Sequence, residues 1–147
     1  PMTVHIIKLC VGVDSIEELA QWQKGRLAAQ KAAGQQPRLF HRTRMVPKRQ
    51  AELLDGGSLY WVIKGVIQVR QRITGFGEGQ KPDGAPCCLI FLDPELVPTH
   101  PVPRRAFQGW RYLEPADAPP DLDARASQQL AQLPPQMRKD LAELGLL

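Results

Sequence analysis

At 147 residues the chain has the length of one domain and can bury a core without staples. Its formal charge of +4 is unevenly spread: residues 38–72 hold eight Lys/Arg against Glu52 and Asp55, whereas residues 113–147 hold three Lys/Arg against six Asp/Glu. Three cysteines, Cys10, Cys87 and Cys88, show no CxxC or Cys/His ligand spacing, which argues against a disulfide framework or a structural zinc and for a reducing cytoplasm.

Pro1 ahead of Met2 reads as a residue left by cloning. Residues 4–11 are apolar but too short to span a bilayer, and they lack the basic-apolar-small order of a signal peptide, so no membrane partner is expected. Val4 and Ile6, with Lys8 in the same phase, fall opposite His5, Ile7 and Leu9, as in a short buried strand. Asp14 and Ser15, each followed three residues later by Glu17 or Glu18, predict a capped helix over 15–33 that stops at Gly34. Ile16, Leu19, Ala20 and Leu27 would form its apolar stripe, with Trp22 at the border.

RLFHRTRMVPKR (38–49) carries five Lys/Arg and His41. A strand over 39–46 would place Arg42 and Arg44 on one side, roughly 7 Å apart, where two planar donor forks suit adjacent phosphates. The same pattern also suits an edge strand guarded by charge. Pro47 opens a helical turn that Asp55-Gly56-Gly57 ends.

The longest run of period two is LYWVIKGVIQVRQRIT (59–74). Its odd positions, from Leu59 and Trp61 through Ile67, Val69 and Ile73, predict a dry face. Its even positions, Tyr60, Lys64, Gln68, Arg70 and Arg72, predict a basic, aromatic wet face. Gly65 keeps the parity, so one strand bent there, or two strands sharing a corner, is expected. GFGEGQKPDGAP then reads as a mobile hairpin tip; it has neither a Walker lysine nor a GxGxxG before a helix, and no cofactor is expected.

CCLIFL (87–92) predicts a buried strand, and the four prolines between 94 and 103 an extended segment poor in ladder donors. Residues 107–113 regain strand character, with Arg111 among Phe107, Trp110 and Tyr112. A Pro- and Asp-rich linker follows, then helices over 122–133 and from Pro134, the last with Met137, Leu141, Leu144 and Leu147 in one stripe. The whole chain is read as one α+β domain: a sheet or barrel core with its helix over 1–113, and a linker with C-terminal helices over 114–147.

At TRMVPKR (43–49), LLDGGSLYWVIKG (53–65), LDPELVPT (92–99) and FQGWRYL (107–113) the chain resembles an uncharacterised alphaproteobacterial family catalogued as a domain of unknown function. That likeness implies a bacterial cytoplasmic origin and no mechanism. Tyr60-Trp61-Val62-Ile63-Lys64 is also similar to the YWLVK-type strand of EVE domains. These belong with PUA, ASCH and YTH domains to small β-barrels that bind RNA or modified nucleobases. The similarity implies a curved, mostly antiparallel sheet or PUA-like barrel with Tyr60, Trp61 and Lys64 beside a ligand groove.

The function expected from these readings is non-catalytic binding of RNA or a modified nucleobase. Arg42, Arg44, Lys48, Arg49, Lys64, Arg70 and Arg72 would meet phosphate, and Tyr60, Trp110, Arg111 and Tyr112 would meet a base. An acidic protein partner for the basic face or the C-terminal helix is the alternative. A small enzyme is a third reading, but His41, His100, Cys10, Cys87, Cys88 and Ser58 show no recognisable elbow or acidic orienter.

Overall fold

The computed structural model describes residues 2–145; Pro1, Leu146 and Leu147, the last a member of the expected C-terminal stripe, lie outside them. Seven strands form one sheet: β1 (His5–Leu9), β2 (Phe40–Thr43), β3 (Ser58–Ile63), β4 (Val66–Gln80), β5 (Pro86–Leu92), β6 (Val97–Pro103) and β7 (Trp110–Leu113). Their order is β2-β5-β4-β3-β1-β7, with β6 also on β4, and every pairing is antiparallel except β1 with β3. Helices α1 (Ile16–Ala32), α2 (Gln50–Leu54), α3 (Ala124–Ala131) and α4 (Pro135–Glu143) surround the sheet. The result is the expected α+β class, with the sheet curled into a half-barrel. None of the described helices is long and apolar enough to cross a membrane.

The long alternating run folds differently from either expected form. At Lys64-Gly65 both residues take positive φ, 50° and 75°, so the chain reverses into a tight hairpin instead of bending. Two consecutive left-handed residues match the twist of the flanking strands. A bulge then breaks the parity: Trp61 pairs with Val69 but Val62 pairs with Ile67, leaving Gln68 as the extra residue. Ile67 therefore faces the side opposite Val69, and Gln68 turns back to donate to the Ile63 carbonyl at 2.9 Å. Both faces of β3 are buried, Tyr60 and Val62 included, so the wet face expected at Tyr60 is covered.

Two further segments gain structure. β4 continues through Gly75, Gly77 and Gly79, where a loop tip was expected, because the missing side chains leave room for Phe91 and Leu89 of β5 to lie across it. The proline-rich segment forms β6, an edge strand, where absent N–H donors are tolerated. Conversely β2 ends at Thr43, so Arg44 leaves the strand instead of standing in line with Arg42.

α1 is held by a buried polar knot. Ser15 caps it by accepting from the Glu18 N–H at 3.1 Å, and Gly34 (φ 77°) follows its end. Leu19 is buried as expected, but Gln23 lies beside it on the same face, while Trp22 is 56% exposed. Gln23 and Gln71 exchange both amide hydrogen bonds at 2.9 Å, the Trp61 indole N–H donates to Gln71 Oε1 at 2.9 Å, and Gln71 Nε2 also reaches the Asp93 carbonyl.

Side chains bridge the open side of the half-barrel. β2 and β7 end the strand path and are joined without a ladder: Trp110 Nε1 donates to the Met45 carbonyl at 3.0 Å, and the Tyr112 hydroxyl accepts from the N–H groups of Lys48 and Arg49. At the other end of the chain α4 packs on β6, and buried Arg138 ties it to the Leu133 carbonyl and to Glu17.

The knot makes a sharp prediction. Gln71→Leu orphans both Gln23 and the Trp61 N–H, and urea denaturation should show a loss of about 3 kcal/mol. Gln23→Leu/Gln71→Leu should recover part of it, because the Gln23 amide is gone and only the Trp61 indole and the Asp93 carbonyl lose a partner. A double variant no more stable than the single one would refute the two-way pairing.

Candidate nucleic-acid interface

The expected site residues divide between the two faces of the sheet. Cross-strand pairing aligns Arg111, Ile7, Tyr60 and Arg70 in one row on the outer face, under Phe107 and Ala118. There Tyr60 is buried, and the edge of the His5 ring meets it at 5.1 Å. Arg70 is fully engaged: it grips Asp121 with two bonds of 2.8 Å and donates to Ser58 Oγ, and its hydrogen bonds hold the Asp121 carboxyl below the usual range. Arg111 lies 4.8 Å over Phe107, Lys64 sits at the hairpin turn, and Arg72 is exposed.

On the inner side, Arg49 is locked between Glu52 at 2.7 Å and Glu114 at 2.9 Å, and these bonds explain its raised pKa. Trp110 is buried with its N–H on Met45, and the Tyr112 hydroxyl serves the backbone of Lys48 and Arg49. Arg49, Arg70, Tyr60 and Trp110 thus hold the fold. Lys48, though exposed, sits beside Tyr112, away from the outer row.

Arg42 and Arg44 do meet at one place, the seam between β2 and the β1–β7 edge. A cleft of about 420 Å³ there is lined by Lys8, Arg42, Arg44, Lys81, Gln108 and Trp110. Lys8 pairs across the sheet with Trp61 on one side and Trp110 on the other, so it stands in a row of core residues. Among the described residues none of these four cations has a carboxylate within ion-pair distance. Burial pushes the Lys8 ammonium pKa down, and Arg26 is lowered by burial and then by the charge of Arg42. Uncompensated positive charge in a partly desolvated cleft favours an anion.

Arginines and aromatic rings interleave beside that cleft. Arg26 lies 4.5 Å from the Phe40 ring and 5.0 Å from Trp22, and Arg42 lies 5.2 Å from Phe40. Arg38 stacks 3.4 Å over Phe91, whose edge meets Phe40. Lys8, Arg26, Phe40 and Lys81 were not singled out from the sequence. The one signal for Lys8 was its phase with Val4 and Ile6, a lysine where the alternation calls for a core residue.

Lys8 also borders a second space, an apolar cavity of about 340 Å³ beneath α1, lined with Cys10, Leu19, Trp22, His41 and Trp61. The His41 ring meets Trp61 edge-on at 5.2 Å, and its Nε2 is buried without a partner. Burial, then the charges of Lys8 and Arg26, pushes the His41 pKa down to about 4, so the ring is neutral near pH 7. Cys10 is pushed up to about 11, again mainly by burial, which keeps it a thiol and a poor nucleophile.

The histidine shifts fix the acid response. The unfolded chain protonates His41 as pH falls through about 6.5, the folded chain only near 4. The stability present above pH 6.5 is therefore lost across that interval, by up to about 3 kcal/mol. His5, also lowered mainly by burial, acts in the same direction. Urea denaturation across this range should show the loss, and His41→Leu should shrink it; an unchanged pH dependence in that variant would contradict the assignment.

No curated protein and no solved structure matches the chain. A family model does, over residues 6–147. With nearly its full length covered, the chain belongs to the family described as protein of unknown function DUF1489.

Proposed function

We propose that the protein is a non-catalytic module that binds single-stranded RNA or a nucleotide, modified bases included, at the seam of the half-barrel. The observation that carries this reading is the convergence of Lys8, Arg42, Arg44 and Lys81 on one cleft with no carboxylate to balance them, beside the Arg26, Phe40 and Trp22 ladder. Phosphates would lie among the cations, where charge-assisted hydrogen bonds are short and strong. Bases would stack on exposed Trp22 and on Phe40, a contribution of roughly 1–3 kcal/mol each that tolerates any base. The outer-face arginine Arg70 and the loop arginine Arg49 take no part, because their donors already serve carboxylates.

Fluorescence anisotropy of labelled single-stranded RNA across a salt series tests this. Binding should weaken as salt rises, and Lys8→Met or Arg42→Ala/Arg44→Ala should reduce the slope of log K against log salt by about 0.7 per phosphate contact removed. Arg70→Ala should lower stability and leave that slope intact. Absence of binding at low salt by both the RNA and nucleoside monophosphates, or a slope indifferent to the cleft variants, would overturn the reading. In that case capture of an acidic polypeptide by the same cations becomes the experiment to run.

A further inference from the structure

Lys8 is the residue that two adjoining spaces have in common: it lines the cation cleft of about 420 Å³ and the apolar cavity of about 340 Å³ beneath α1. On β1 it pairs with Trp61 of β3 and with Trp110 of β7, and partners in register leave a sheet on the same side. The lysine therefore stands in one row with two buried tryptophans. Among the described residues no Asp or Glu lines either space; the titratable side chains there besides Lys8 are Cys10 and His41 in the cavity and Arg42, Arg44 and Lys81 in the cleft. Little in that setting holds a proton on the amine. Burial lowers the Lys8 pKa, and the opposing pull of Cys10 is smaller.

We infer that Lys8 is a nucleophilic amine that captures a small phosphorylated aldehyde as an imine, with the phosphate in the cleft and the body of the aldehyde in the cavity. The inference does not need the RNA reading; it asks of the cleft only that it hold an anion. A lysine partly desolvated and grouped with other cations is the form in which the amine, otherwise protonated and inert, becomes a nucleophile. Its lone pair attacks the carbonyl carbon, a C–N bond forms, and the carbonyl oxygen takes one amine hydrogen to give a carbinolamine. Loss of that hydroxyl with the second amine hydrogen, as water, leaves the C=N bond. No oxidant, reductant or metal is consumed, and hydrolysis reverses the step. The guanidinium forks of Arg42 and Arg44, with Lys81 beside them, suit a doubly charged phosphate better than a single carboxylate. An aldehyde suits the row because its carbonyl carbon carries a single substituent, and the apolar lining of Leu19, Leu39 and Trp61 keeps water from the imine.

Pyridoxal phosphate is the probe, with pyridoxal as its phosphate-free counterpart. The full chain is incubated with each near neutral pH, reduced with borohydride to fix any imine as a secondary amine, and mapped by peptide mass. Lys8 should take up pyridoxal phosphate about tenfold faster than Lys24, Lys31, Lys48, Lys64, Lys81 or Lys139, and inorganic phosphate should slow it. Arg42→Ala/Arg44→Ala should bring the rate at Lys8 down to that of pyridoxal. Because the preference for Lys8 is read on the unaltered protein, a variant that fails to fold does not blunt the test. Label spread evenly over the lysines, or gathered on Lys81, overturns the inference, and an equal rate with pyridoxal overturns the phosphate assignment. Salt-sensitive RNA binding with Lys8 unlabelled overturns the imine and leaves the RNA reading standing. Selective labelling of Lys8 without RNA or nucleotide binding upholds the imine and overturns that reading.

Discussion

The exchange of amide hydrogen bonds between Gln23 and Gln71 is the contact on which the interior of this protein depends. It joins the middle of α1 to the middle of β4, in a layer otherwise made of apolar side chains. A buried amide pair is directional where apolar packing is not, so it fixes how far along the sheet the helix sits. The Trp61 indole completes it and is held rigid as one wall of the cavity. With Gln23 drawn to Gln71, Trp22 is carried outward and Leu19 inward, and the space between them is left open over His41.

Closure of the sheet follows a second constraint. β1 is flanked by β3 and β7, β2 pairs only with β5, and the free edge of β2 and that of β7 come together without register. Bonds from Trp110 and from the Tyr112 hydroxyl bridge the gap, and what they leave unfilled is the cleft. A seam of this kind keeps polar backbone near solvent and lets side chains of both edges point into one space. Lys8 is the clearest product: a half-buried lysine in a core row that lines the cleft together with Arg42 and Arg44 and, among the described residues, has no carboxylate within ion-pair distance.

The arginines separate into two populations by what their donors touch. Arg70 and Arg49 pair with carboxylates from the acidic C-terminal third, Asp121 and Glu114, and so fasten that third to the sheet. Arg26, Arg38 and Arg42 instead lie over aromatic rings, contacts that leave guanidinium N–H groups free for a further partner. The uneven charge along the chain is thereby put to use: Asp121 and Glu114 of the acidic tail neutralise Arg70 and Arg49 of the basic middle, and Lys8, Arg42, Arg44 and Lys81 at the seam are left, among the described residues, without a carboxylate in ion-pair distance.

What could be read from the chain alone was whatever is decided within a few residues. Ser15 and Gly34 bound α1, the short apolar runs became β1, β3 and β5, and prolines and small polar residues set off the last two helices, because caps, turns and periodicity are local. The relations that make the candidate site are not local. Gln23 meets Gln71 across 48 positions and Arg70 meets Asp121 across 51, so the pattern around each residue looks the same whether or not its partner is there. The bulge at Gln68 shows the limit most plainly: a single inserted residue reverses which face Ile67 occupies, and it arises from the fit of two strands, not from the composition of either. Sequence by itself determined most of the elements and the basic character of the middle third, but not β6, the reach of β4 through its glycines or the hairpin at Lys64-Gly65. Only the tertiary structure decided which cations are already paired and which still face an empty cleft, since pairing is a matter of distance between remote side chains.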